Sequence, residues 1–268
     1  MTNISSSDWT YRTPKHRLFL WLGWFALVAL FVWCWRIMSQ DTIWAFVWDA
    51  PAQALDIGSR MTPPEWGYLP ELMKPLWDTL NIATLGTIGG VLIAIPVAFL
   101  AARNTTPSAT ILRPIALFII VTSRSINSLI WALLLVAIIG PGLLAGIIAI
   151  ALRSIGFVGK LLYEAIEETD PRQIEAITAT GAAPTQVLTY GIVPQIMPAL
   201  WSISVFRWDI NIRESAILGL VGAGGLGLKM NASLAILAWD QVLVILILIL
   251  ATVVVSEWVS AQVRKAII

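Results

Sequence analysis

EAITATGAAPTQVLTYGIVPQIMP, residues 175–198, is a polar insert punctuated by glycine and proline and flanked by long apolar runs. What those runs are decides the fold class. The 268-residue chain is 58% hydrophobic and 12% charged, with a mean hydropathy of +0.81. Soluble domains carry roughly a quarter charged residues, so half that share makes lipid the main solvent. The formal net charge of +1 lacks the basic surplus of a nucleic-acid binder. Cys34 is the only cysteine, which excludes an intramolecular disulfide and a cysteine metal site.

A helix needs about 20 apolar residues to cross the hydrocarbon core. Six segments qualify: Leu18–Met38, Leu76–Ala101, Ile115–Ile139, Leu143–Leu162, Ile196–Leu218 and Val242–Val263. The expectation is an all-α, polytopic membrane protein. The first segment follows Arg12, Lys15 and Arg17, as a signal peptide would. It is too long for a signal h-region and lacks a small-residue cleavage pattern, so it is read as a retained span. Pro96 predicts a kink in the second. Basic residues orient the chain. A cytoplasmic N-terminus puts Arg12, Lys15, Arg17, Arg103, Arg113, Lys160, Arg172, Arg264 and Lys265 inside and leaves only Arg36, Arg60, Lys74 and Lys229 outside. Both termini and the Glu175 insert are then cytoplasmic. The Ser39–Pro75 loop, with Trp44, Trp48 and Trp66, lies on the outer face.

The insert has its own punctuation. Asp170-Pro171-Arg172-Gln173 reads as a helix start, with Asp at the N-cap, Pro at the first helical position and Gln at N3 as in a capping box. Gly181 is placed to end that helix. Pro184 opens a second short helix, which Gly191 and Pro194 close before the fifth span. Connections this long are uncommon unless functional.

Glu175-Ala176, Gly181 and the ending Ile192-Val193-Pro194 resemble the EAA loop of ABC-importer permeases. Further blocks, SRSINSLIWALLL (123–135), GFVGKLLYEAIEETDP (156–171), YGIVPQIMP (190–198) and FRWDINIRESAILGLVGAGGLG (206–227), resemble the phosphonate-importer permease subfamily. The resemblance covers roughly Leu76 to the C-terminus. It implies type I ABC-importer permease architecture, with residues 1–75 as tail, first span and outer loop, and 76–268 as permease core with a coupling loop at about 164–195. It also implies that Glu175, Ala176, Gly181 and Pro184 couple the spans to an ATPase. The partners implied are a second copy of the chain in a homodimer, two cytoplasmic ATP-binding subunits that hold ATP and Mg, and an extracytoplasmic phosphonate-binding protein. The setting is a prokaryotic plasma (inner) membrane. Family members commonly have His where this chain has Arg153, and often an acid near Ser128; both departures make this chain more positive.

Ionisable side chains near mid-bilayer are functional candidates. Here Arg124, Arg153, Arg207, Asp209, Arg213, Glu214 and Glu257 lie in or near spans. At 100° per residue, Arg207, Asn211 and Glu214 share one face of the fifth span. Asp209 and Arg213, on the opposite face with the acid first, suit a structural ion pair. In the third span Arg124, Asn127, Ser128 and Trp131 fall on one helical face. Four arginines against three acids leave a cationic surplus that suits a passing oxyanion, which guanidinium forks bind well. The expected translocation residues are therefore Arg124, Asn127, Ser128, Arg153, Arg207, Asn211 and Glu214.

Gly222-Ala223-Gly224-Gly225-Leu226-Gly227 fits GxGxxG, but no strand or βαβ unit surrounds it, so a tight turn or close helix contact is expected instead of a cofactor site. Lys229 does not complete a Walker A motif. His16, the sole histidine, sits in the polar N-terminal segment. No catalytic residue, metal ligand or bound cofactor is assigned. Two rival readings are an ion-coupled secondary transporter with Asp209, Glu214 or Glu257 as proton carriers, and an intramembrane enzyme. The EAA loop opposes the first, and no His, Ser–His or Cys–His constellation supports the second.

Overall fold

The computed structural model describes residues 14–267, and among these there is no β-strand. The helices are α1 (Pro14–Gln40), α2 (Trp44–Met61), α3 (Leu69–Ala101), α4 (Leu112–Ser125), α5 (Ser128–Ile139), α6 (Leu143–Glu167), α7 (Pro171–Ala179), α8 (Pro184–Val187), α9 (Val193–Leu218), α10 (Gly225–Ala235) and α11 (Trp239–Ile267). The residues group into two compact units, one ending at Ile57 and the other starting at Gly58. Arg12, assigned above to the inner face, lies outside the described residues. His16 is on the first turn of α1 and exposed.

Five continuous helical stretches are long and apolar enough to cross a bilayer, within Lys15–Gln40, Trp66–Ala101, Leu143–Glu167, Pro184–Val221 and Trp239–Ala266. The third expected span is not a straight helix. α4 and α5 meet at 90°, and only together do they make a sixth crossing. Ile126 and Asn127 are extended, and the Asn127 side chain accepts the Leu129 amide at 3.2 Å as the N-cap of α5. An asparagine that can cap a new helix competes with continuation of the old one. The expected stripe of Arg124, Asn127, Ser128 and Trp131 on one face is thereby broken, with Arg124 left on α4. Other bounds move too: α3 starts at Leu69, and α6 runs past Leu162 to Glu167. Part of the outer loop is helical, as α2.

The second unit exposes large apolar side chains and buries a set of polar ones within its apolar core. Leu92, Phe118, Ile138 and Leu250 are exposed, whereas Arg207, Asp209, Asn211, Ser154 and Thr87 are buried. With lipid outside, apolar area does not drive helices together, and close approach through small residues does more of the work. α3 meets α6 along Gly86-x-x-x-Gly90. A Cβ on Gly90 would stand 2.5 Å from the Ser154 Cβ, and one on Gly86 2.7 Å from Ile150 Cγ2.

The glycine cluster after α9 makes a tight turn and a close contact. Gly222, Gly224 and Gly225 all have positive φ, between 71° and 94°. A Cβ on Gly227 would collide with the Ala216 carbonyl, and Leu226 N donates to Thr79 Oγ1 at 2.9 Å. At one end of the bundle Glu167 Oε1 accepts from Arg103 N at 2.9 Å and lies 3.7 Å from Arg113 Nη2. Asn104 Nδ2 donates to Ile166 O at 2.6 Å. These bonds level the ends of α3 and α6 with the start of α4.

Adjacent glycines on α3 test this packing. Gly90→Ala should destabilise by about 1–3 kcal/mol through overpacking. Gly89→Ala, whose Cβ would meet nothing nearer than the Ala151 Cβ at 3.9 Å, should be neutral or slightly stabilising. Thermal unfolding in detergent would compare the two, and equal melting temperatures would contradict the close α3–α6 contact.

Candidate functional site: a charged cluster on α9 and its coupling segment

α9 carries polar groups on two sides, all of them buried or half-buried except the exposed Arg213. On one side Arg207, only 1% exposed, donates from Nε to Ser154 Oγ at 3.0 Å and from Nη2 to Glu214 Oε2 at 3.4 Å. Its guanidinium lies over the Phe157 ring, 5.2 Å from the centroid. The other Glu214 oxygen, Oε1, lies 3.5 Å from Arg153 Nε on α6. Asn211 completes the cluster, donating to Thr87 Oγ1 at 2.7 Å and Ser154 Oγ at 3.0 Å. Its buried Oδ1 meets no donor among the described residues. Two guanidiniums thus share one carboxylate at the junction of α3, α6 and α9, giving a local charge of about +1.

On the opposite side, Arg213 Nη2 lies 2.7 Å from Asp209 Oδ2, while Asp209 Oδ1 accepts from Ser256 Oγ of α11 at 2.8 Å. This pair ties α9 to α11. Glu257 is exposed on α11 and meets no cation among the described residues. Arg124 and Asn127 are exposed and Ser128 is buried, none of them bonded to the α9 cluster. Ser123, beside Arg124, seats α4 on α6: its hydroxyl accepts from Gly156 N at 2.8 Å and donates to Leu152 O.

The insert folds differently from its sequence reading in two respects. Asp170 does cap α7, accepting from Arg172 N at 3.0 Å, and Pro171 is at the first position. The amide of Asp170, however, is held by Gln195 Oε1 at 2.9 Å, not by Gln173. Nor is there a break before α9. α8 runs through a π-helical turn, Leu188–Ile192, directly into α9, and Pro194, which has no N–H to give, follows that turn. This turn packs on α7, and a Cβ on Gly191 would stand in ordinary contact with Ile177 Cδ1 at 3.4 Å. Gly181 ends α7 at φ +81°, with nothing within 4 Å of where a Cβ would be. Its constraint within this chain is therefore backbone handedness and not space. Glu175, Ala176 and Pro184 are exposed.

The sequence reading missed Ser154 and Thr87, which hold the cluster, and Gln195, which pins the start of α7. The Gly86-x-x-x-Gly90 spacing was the available signal for the first two, because a small-residue face marks where another helix comes close.

Residues 94–268 match the family described as binding-protein-dependent transport system inner membrane component. A phosphite transport system permease protein of Stutzerimonas stutzeri is 37% identical over 241 residues, 90% of this chain and 86% of that protein. A phosphate-import permease protein of Mycolicibacterium smegmatis is 36% identical over 90% of this chain, which spans 44% of that longer protein. Among solved structures, an inward-facing methionine ABC transporter matches with a TM-score of 0.65 at 23% identity, covering 76% of this chain and 99% of that one. This chain belongs to the family of binding-protein-dependent inner-membrane transport components: it is a multi-pass permease subunit, not an enzyme, with the fold of the type I ABC importers.

Proposed function

We propose that the chain is the transmembrane subunit of an ATP-driven importer carrying phosphonates or related phosphorus oxyanions across the inner membrane. The observation that carries the substrate class is the likeness, over nine tenths of the chain, to a permease named for phosphite. The α9 cluster supports it. A phosphorus oxyanion can compete with Glu214 for guanidinium forks that are already desolvated. In this reading the chain works as a homodimer with two cytoplasmic ATP-binding subunits and an extracytoplasmic binding protein. Both termini are cytoplasmic, and ATP and Mg are held by the partner.

The exposed Glu175–Ala176 surface of α7 docks on the ATPase, and Gly181 and Pro184 shape the bend that follows. Because α8, the π turn and α9 are continuous, movement of that bend reaches Arg207, Asn211 and Glu214 along one helix. Arg153 stays behind on α6. Sliding α9 against α6 would part Glu214 from Arg153 and free a cation for the substrate.

The direct test is uptake in proteoliposomes holding the full assembly. Phosphite or methylphosphonate should enter only with ATP and the binding protein. The chain alone should neither bind nor hydrolyse ATP. Proton-driven uptake by the chain alone would overturn the reading.

Glu214→Gln should lower stability by about 3 kcal/mol, because it leaves buried guanidinium charge unpaired. Adding Arg153→Gln should recover part of that loss but not the uptake. Full stability of the single variant by thermal unfolding would refute the shared-carboxylate account.

At Gly181, Asn tolerates the left-handed backbone whereas a branched side chain loses about 1–2 kcal/mol there. Gly181→Asn should therefore keep substrate-stimulated ATP hydrolysis, and Gly181→Leu should insert normally but lose it. Normal coupling in Gly181→Leu would remove the assigned role of the bend.

A further inference from the structure

A second cationic site lies in the groove between α4 and α6, away from the α9 cluster. It is a pocket of about 370 Å³ lined by Leu117, Ile120, Val121, Arg124 and Ser125 of α4 and by Lys160 and Tyr163 of α6. Lys160 Nζ donates to Tyr163 OH at 2.8 Å and pairs with Glu164 Oε1. Arg124 has no acid within ion-pair distance among the described residues. Tyr163 accepts from Lys160, so its own O–H proton remains available to a ligand. Two cations and a phenol donor thus line one pocket, and Glu164, outside the lining, is paired with Lys160.

Depth separates this pocket from the membrane surface. Arg113 and Glu167 mark one level at the end of the bundle. At 1.5 Å per residue, Lys160 lies about 10 Å along α6 from Glu167, and Arg124 about 16 Å along α4 from Arg113. Both side chains therefore lie inward of that charged end, on helices that belong to the apolar spans, where an unpaired cation is costly and marks a pathway by default. A lipid headgroup belongs at the surface. Arg153 and Lys160 are two turns apart on α6 and fall within about 20° of one face. The pocket therefore continues, toward the Glu167 end, the line on which the α9 cluster sits.

We propose that Arg124, Lys160 and Tyr163 form a second phosphorus-oxyanion station, with Glu164 as the resident counterion that the substrate displaces from Lys160. The proposal rests on the oxyanion reading of the function. The guanidinium and ammonium groups offer charge-assisted donors to two oxygens and Tyr163 offers a third. Glu164 keeps the site from holding its anion too tightly, and it reclaims Lys160 as the substrate leaves.

The test uses the full assembly in nanodiscs of purely zwitterionic lipid, titrated with phosphite and followed by phosphorus NMR, alongside uptake in proteoliposomes. Arg124→Gln and Lys160→Gln should each raise the uptake KM at least tenfold. Lys160→Arg should restore it, and Glu164→Gln should tighten phosphite binding while slowing turnover. Unchanged KM in both glutamine variants, with wild-type phosphite uptake intact, would overturn the second station and leave the function standing. Loss of melting temperature or of dimer in Arg124→Gln with an unchanged KM would overturn it in favour of a structural partner for Arg124. If anionic lipid added to the nanodiscs displaces phosphite from the wild type but not from Lys160→Gln, and KM is unchanged in that variant, the pocket holds a headgroup and the proposal fails. Absence of phosphite, phosphonate and phosphate uptake by the wild type would instead sink the substrate reading itself.

Discussion

One carboxylate facing two guanidiniums inside an apolar bundle sets the constraint on which this protein is organised. Arg207 is buried and Arg153 partly so, and Glu214 is the only acid that reaches either among the described residues. Charge in a low-dielectric setting must be paired and hydrogen-bonded or it is strongly unfavourable. Ser154 accepts a further bond from Arg207, and Asn211 donates to both Ser154 and Thr87. They can do so only because Gly86 and Gly90 bring α3 against α6 at a distance that any side chain would forbid. The small-residue seam and the charged cluster are therefore one device: the seam places Ser154, and Ser154 holds Arg207 and Asn211.

α9 is gripped from several sides, packing on α3, α6, α10 and α11. Its second polar side ties it through Asp209 and Ser256 to α11. Its beginning is continuous with the segment around Pro184, and Gln195 reaches back to the first residue of the α7 cap. Under the proposed coupling, a helix bonded on both flanks and driven from one end would move as a rod. The π turn at Leu188–Ile192 is the soft point on that rod, where one extra residue per turn loosens the hydrogen-bond ladder.

Much of this was legible in the sequence. Length and apolarity were enough to place the spans, because backbone groups in lipid must be satisfied within each helix. The two polar sides of α9 followed from 3.6-residue periodicity alone. The bend at Asn127 did not, since an asparagine can face solvent or cap a helix and only its neighbours decide which. The sharing of Glu214 was also out of reach, because Arg153 is distant in sequence and the pairing needs the α6–α9 approach. Gln195 replacing Gln173 at the cap has the same cause: tertiary contact outcompeted the local partner.

The two cationic sites have the same composition, two cations to one acid, and that ratio fits transport better than it fits storage. A site with equal charges would not attract an anion into the bilayer, and one with unopposed cations would keep it. With a resident carboxylate, an anion entering either proposed site would exchange for an existing partner, so the free energy of capture would stay modest. Conduction through any selective pore needs binding favourable enough to enter and weak enough to leave, commonly over several sites. Glu214 meets that need where α9 can slide, and Glu164 meets it on α6 itself, one turn from Lys160 on the same helix. Only the first of these pairs spans two helices. In the proposed reading, movement of α9 changes the affinity of the first site, while the second, whose Lys160–Glu164 pair lies within α6, stays nearly constant.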